Sequence, residues 1–127
     1  MAPFAQAYGN FTNAVERLRR SSVKNLGDPT IVAGIIMQYV LAFETCWKAM
    51  RAYLTEKLGV EALNPRHAIV ESYASKIIDD EQTWLDMMKD RNFAVHVYSE
   101  QDARELAERI TGRYLPELSG LCEKLKR

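Results

Sequence analysis

The chain has 127 residues, 47% of them hydrophobic, with six glycines and four prolines, so it can bury a core and is not a low-complexity or disordered tract. Lys+Arg and Asp+Glu number 17 each, which excludes a protein that coats nucleic acid by bulk positive charge but leaves room for a local basic site. The start, MAPFAQAYGNF, lacks the basic-then-apolar order of a signal peptide, and the uninterrupted apolar run Ile31 to Met37 is far short of the roughly 20 residues of a membrane span. A single cytoplasmic domain over residues 1–127, without a membrane segment, is the expectation.

Phe4, Tyr8, Phe11, Val15 and Leu18 recur at spacings of four and three, one face of a first helix, and NLGDPT then breaks the chain at Gly27 and Pro29. A long second helix is expected from Thr30 to Leu58. Its stripe is Ile36, Tyr39, Val40, Phe43, Trp47, Met50 and Leu54, and Gly59 is placed to stop it. Asn64 and Pro65 suit the cap and first position of a third helix. Asp79 or Asp80 can cap a fourth, which carries Trp84, Leu85 and Met88 into residues 91–98. Ser99 and Asp102 have capping-box spacing for a fifth, running through Leu106, Ile110, Tyr114, Leu118, Leu121 and Leu125, with a kink expected at Gly112–Pro116. No segment alternates as a strand does. The fold class is therefore all-α, an up-and-down bundle of four or five helices. Cys46 and Cys122 both fall at helical positions without C-x-x-C pairing, and reduced, partly buried thiols are expected.

RNFAVHVY, residues 91–98, places Arg91, Asn92, His96 and Tyr98 within eight positions, among Phe93, Ala94, Val95 and Val97. Arginine can hold a phosphate by a bidentate fork, and histidine moves protons near neutral pH. On a straight helix Arg91 and His96 would lie about 140° apart, whereas Arg91 and Tyr98 would share a face and Asn92 could touch His96. Arg91 and His96 therefore converge only if the helix loosens, if the arginine bends round, or if a second copy completes the site. The plainer alternative is a histidine near a helix end and an arginine paired with Asp86, Asp90 or Glu100. Glu44 and Lys48, at i, i+4, are either a solvated pair or a support beside Arg91. His67 is expected to be a surface residue. Asp79, Asp80 and Glu81 are adjacent and diverge on a helix, so no metal-ligand set is read and catalysis without metal is favoured.

The octet, read as R-x-x-x-x-H-x-Y with a polar second residue, resembles the signature of HEPN-domain ribonucleases, specifically the toxin partner of minimal nucleotidyltransferase antitoxins. MQYVLAFETCWKAMRAYL (Met37–Leu54) is similar to the family's aromatic second helix, with F-E-x-x-W-K at Phe43, Glu44, Trp47 and Lys48. The proline-capped helix and the W-L-x-M-x-x-x-R-N-x-x-x-H-x-Y run extend the likeness to about residues 4–121. The resemblance implies a metal-independent endoribonuclease without a cofactor. Arg91 would hold the scissile phosphate, His96 would act as general base or acid, and Asn92 would position the phosphate or the ring. It also implies a homodimer that brings two motifs into one cleft, RNA as substrate, and a nucleotidyltransferase antitoxin that attaches AMP to Tyr98. An older description of the same family, a nucleotidyltransferase substrate-binding protein, implies instead a module that docks the transferase and performs no chemistry.

Overall fold

The computed structural model describes residues 4–126, and among them every regular element is helical. The helices are α1 (Phe4–Ser21), α2 (Pro29–Leu58), α3 (Pro65–Ala74), α4 (Glu81–Asn92), α5 (Glu100–Arg109) and α6 (Leu115–Leu125). A 3-10 turn, Ala94–His96, follows α4, and a π-helical turn, Ile110–Tyr114, joins α5 to α6 in one kinked rod. Counting that rod once gives the five-membered bundle that the hydrophobic periods predict.

The caps follow local chemistry. The Asp28 carboxylate accepts the Thr30 N–H at 2.9 Å, Asn64 accepts from His67 at 2.9 Å, and Ser99 accepts from Asp102 at 3.0 Å. Of the two aspartates weighed for α4, Asp80 is the cap, accepting from both the Thr83 N–H and its hydroxyl. Gly59 takes the left-handed conformation, φ 67°, and lets Val60 N–H reach back to the Leu54 carbonyl at 2.9 Å. In the last rod Pro116 has no N–H to offer the Gly112 carbonyl, and the chain widens there: Leu115 N–H bonds Ile110 C=O, five residues back.

α2 is the central helix and packs on α1, α3, α4 and α5, with α1 also on α6 and α3 on α4. That position rotates and widens its buried arc relative to the expected stripe. Val32, Ile35, Ala42, Cys46 and Ala49 are buried with Tyr39, Phe43, Met50 and Leu54, while Ile36, Val40 and Trp47 are only half-buried. A helix wrapped by several neighbours buries small residues that a stripe of large ones overlooks. Over an 18-residue window α2 has mean hydropathy 1.4, so by length and composition it is long and apolar enough to cross a bilayer, more than the uninterrupted run suggests. Only 33% of that window is buried, and Met37 and Leu41 remain 60% and 45% exposed on its outer face.

Side-chain bonds lock the rods together. Tyr8 Oη donates to the Cys122 carbonyl at 2.7 Å, and Trp84 Nε1 donates to Glu117 at 3.1 Å. Tyr39, stacked on Tyr114 at 5.6 Å, donates to the Met87 carbonyl in the core, and burial pushes its hydroxyl far above the usual tyrosine range. Cys46 is buried and Cys122 half-buried, both free thiols; burial raises both, Cys122 to about 11.

Candidate active site at the α4–α5 corner

α4 ends at Asn92, and the rest of the octet forms a corner ahead of the Ser99 cap, the loosened form of the segment rather than a straight helix. Phe93 N–H still bonds Lys89 C=O at 3.1 Å, but the next turn tightens, with His96 N–H on Phe93 C=O at 2.9 Å. Val97 is extended and Ser99 caps α5. Because the helix stops, Arg91 and Tyr98 are not set on one face by helical register. Asn92 does not meet His96 as i, i+4 partners do; its side-chain Oδ1 accepts from Arg91 Nη1 at 3.3 Å.

The polar residues of the octet divide into two groups. Arg91 reaches across to α2, where Nη2 donates to Glu44 Oε1 at 3.1 Å, and Lys48 Nζ lies 3.3 Å from the other oxygen of that carboxylate. Asp86 and Asp90, alternative partners for Arg91 by sequence, bind Arg113 and Arg109 instead. Arg91 Nε is buried without a hydrogen-bond partner. Of the five guanidinium N–H donors two are engaged and the Nε–H is enclosed, which leaves two on the Nη atoms for an incoming anion. His96 pairs with Tyr98, Nδ1 to Oη at 2.9 Å, and their rings meet edge-on at 84°. Phe93 lies beside His96, ring centroids 6.2 Å apart. Among the described residues no hydrogen bond joins Arg91 to His96.

The corner runs antiparallel to α2. Its start is fixed at Glu44, and Val97 and Tyr98 line a small cavity of about 150 Å³ with Pro29 and Val32 at the start of α2. Between those points α2 exposes Met37 and Leu41, seven and three residues before Glu44 and so on its face. Phe93, Val95 and Tyr98 are exposed at 56%, 78% and 83%. Five large hydrophobic side chains therefore lie open around the motif. On the other flank of α2, Lys48 and Arg51 line a groove of about 650 Å³ against Gln6 and Asn10 of α1, and the Arg51 guanidinium sits 4.7 Å from the Trp47 ring centre.

Residues 6–127 match the model of a family described as nucleotidyltransferase substrate binding protein like. The chain belongs to that family. A crystal structure of a Thermus thermophilus protein superposes with a TM-score of 0.86 at 28% identity, covering 92% of this chain and 99% of that one. No curated protein matches the chain. The relative's fold agrees with the all-α bundle read from the hydrophobic periods, and the family's description carries the association with a nucleotidyltransferase that the octet's resemblance implies.

One element of the site lies outside the octet. Asp86 and Asp90, four apart on α4, face Arg109 and Arg113, four apart on the kinked rod. Arg113 Nη2 meets Asp86 at 2.7 Å, and Arg109 Nε meets Asp90 at 2.9 Å. Tyr114 also donates to Asp90; burial and that carboxylate push its hydroxyl up to about 12. The clamp fixes the end of α4 one residue before Arg91. Paired i, i+4 acids and bases in two helices were the available signal. His67 also has defined partners: Nδ1 accepts the Leu63 N–H at 3.2 Å, and Nε2 lies 3.4 Å from Glu71.

Proposed function

We propose that the protein is an endoribonuclease of the HEPN type, the toxin of a toxin–antitoxin pair, working without a resident metal. The observation that carries this reading is the corner itself, which joins an arginine with unengaged Nη donors to an exposed, hydrogen-bonded His–Tyr pair within eight residues. His96 takes the proton of a ribose 2′-hydroxyl, whose oxygen attacks the adjacent phosphorus. The P–O5′ bond breaks, the leaving oxygen receives a proton from the second copy's histidine or from water, and a cyclic phosphate remains. Arg91 binds the phosphoryl oxygens and stabilises their added charge, with Asn92 and Glu44 holding its guanidinium. Lys48 ties Glu44 from behind and, with Arg51, lines a groove suited to the continuing RNA backbone.

The functional unit in this reading is a homodimer. Arg91 and His96 belong to separate groups within one chain, and the exposed apolar residues around them suit a symmetric contact that excludes water from two facing motifs. Leu41→Asp is expected to give a monomer by light scattering and to lower RNA cleavage at least about tenfold through the lost partner motif. A variant that becomes monomeric and keeps full activity contradicts the shared cleft.

Tyr98, 83% exposed, is the proposed site of control. Its oxygen attacks the α-phosphorus of ATP in the transferase partner, pyrophosphate leaves, and the tyrosine proton passes to a base. The attached AMP then fills the phosphate site. Intact mass after incubation with ATP, Mg²⁺ and the partner should rise by adenylyl units on the wild type and not on Tyr98→Phe.

The family's description favours a second reading, a docking subunit that performs no chemistry. Expression of the chain alone separates the two. Growth arrest abolished by His96→Ala and by Arg91→Ala supports the nuclease, and no arrest with the wild type supports the docking subunit.

A further inference from the structure

We infer that Tyr98 is a positioning residue that fixes the tautomer of His96. Neutral imidazole carries one N–H, and the partner of one nitrogen decides which nitrogen remains bare. At 2.9 Å from Nδ1, the Tyr98 oxygen is the side-chain partner of this ring, and the edge-on contact with the tyrosine ring restricts its rotation. A nitrogen that takes a proton from a hydroxyl must present a lone pair. With Nδ1–H donating to Tyr98 Oη, that lone pair lies on Nε2, on the far side of the ring from Tyr98. The same bond persists when Nε2 is protonated, so the arrangement serves the base and the acid step alike.

The inference rests on the nuclease reading, because the 2.9 Å contact alone fits either Nδ1–H or the phenol as donor, and the base role at Nε2 selects the former. It also gives modification at Tyr98 a second effect. Placing a phosphodiester on Oη replaces a free hydroxyl oxygen by a crowded ester oxygen, a poorer acceptor, and the His96 ring loses its orientation. Control would then act on the base as well as on the room left for RNA.

The chain contains two histidines, and the other supplies an internal reference of opposite sense. His67 Nδ1 accepts a backbone N–H from Leu63, so neutral His67 is the Nε2–H form. Long-range proton–nitrogen correlation spectra of uniformly ¹⁵N-labelled protein, at a pH where both rings are neutral, should show His96 mainly as Nδ1–H and His67 as Nε2–H. In Tyr98→Phe, His96 should shift toward Nε2–H while His67 stays unchanged. The purified variant should cleave RNA about five-fold more slowly in kcat, with KM within about two-fold, the size expected for one lost hydrogen bond. A wild-type His96 already in the Nε2–H form, or a tautomer unmoved by Tyr98→Phe, overturns the inference. A tautomer that moves in protein without detectable cleavage supports the positioning and counts only against the nuclease.

Discussion

Asp90 and Arg91 are neighbours at the end of α4, and their surroundings are built differently. Asp90 is enclosed: Arg109 donates to it through Nε and Nη2, and Tyr114 adds its hydroxyl. Arg91 is held by one oxygen of Glu44 and by Asn92, leaves one N–H on each Nη unengaged, and begins the segment that carries exposed Phe93, Val95 and Tyr98. One residue is saturated and serves to fix the helix; the next is undersaturated and serves to bind. A site that must seize a phosphate at one moment and release it at another needs this contrast, because a fully partnered arginine has nothing left to give and a free one has no fixed position.

Substitutions can break this contrast from either side. Arg91→Ala is expected to lower RNA cleavage at least about 100-fold, as loss of a transition-state charge contact does, while the melting temperature moves by less than about 2 °C. Asp90→Asn should do the reverse. It weakens three charge-assisted contacts for about 1–2 kcal/mol, or roughly 4–8 °C in melting temperature, and leaves cleavage near normal at temperatures where the variant is folded. A large loss of activity in a stably folded Asp90→Asn protein would mean that the two neighbours are not separable.

Glu44→Gln sharpens the same contrast with a smaller effect. The amide oxygen can still accept from Arg91, but the anion that competes with RNA phosphate is gone, so KM should fall about two- to three-fold with kcat little changed. Steady-state cleavage of a short RNA at low salt would measure it; a raised KM would mean that the charge of Glu44 is needed to present the arginine.

The smallest effect concerns the other end of the clamp. The Arg113 hydrogen bond, then that from Gln82, holds the Asp86 carboxyl below the usual carboxylate value. A depressed native pKa contributes stability that is present above the unfolded value, near 3.9, and is lost as pH falls through the lower folded one. Asp86→Asn should therefore flatten a small decline in melting temperature below about pH 4. The pair is well exposed, and the effect is correspondingly minor.

Local chemistry was legible in the sequence, and distant pairing only as one of two alternatives for Glu44, a support beside Arg91. Asn64, Pro65, Gly59 and the Ser99–Asp102 spacing set helix ends within a few residues, and the Gly112–Pro116 kink follows from a proline that cannot donate. The end of α4 carries no glycine or proline, so its last residue could not be read; the Ser99 cap implies a last turn or a corner around His96 and Tyr98, and a corner is what forms. The octet marked Arg91, Asn92, His96 and Tyr98 as neighbours along the chain, but Arg91's choice of Glu44, 47 residues away, depends on how α4 meets α2. The clamp of Asp86 and Asp90 on Arg113 and Arg109 likewise becomes visible only when two helices are known to be adjacent.

The most direct measurement mixes two inactive proteins. Arg91→Ala and His96→Ala, each purified and each unable to cleave RNA alone, should regain cleavage when combined and allowed to exchange subunits, because a mixed dimer holds one intact arginine opposite one intact histidine. Subunit exchange confirmed by fluorescence transfer between labelled copies, with no cleavage by the mixture, would contradict a site shared across two chains.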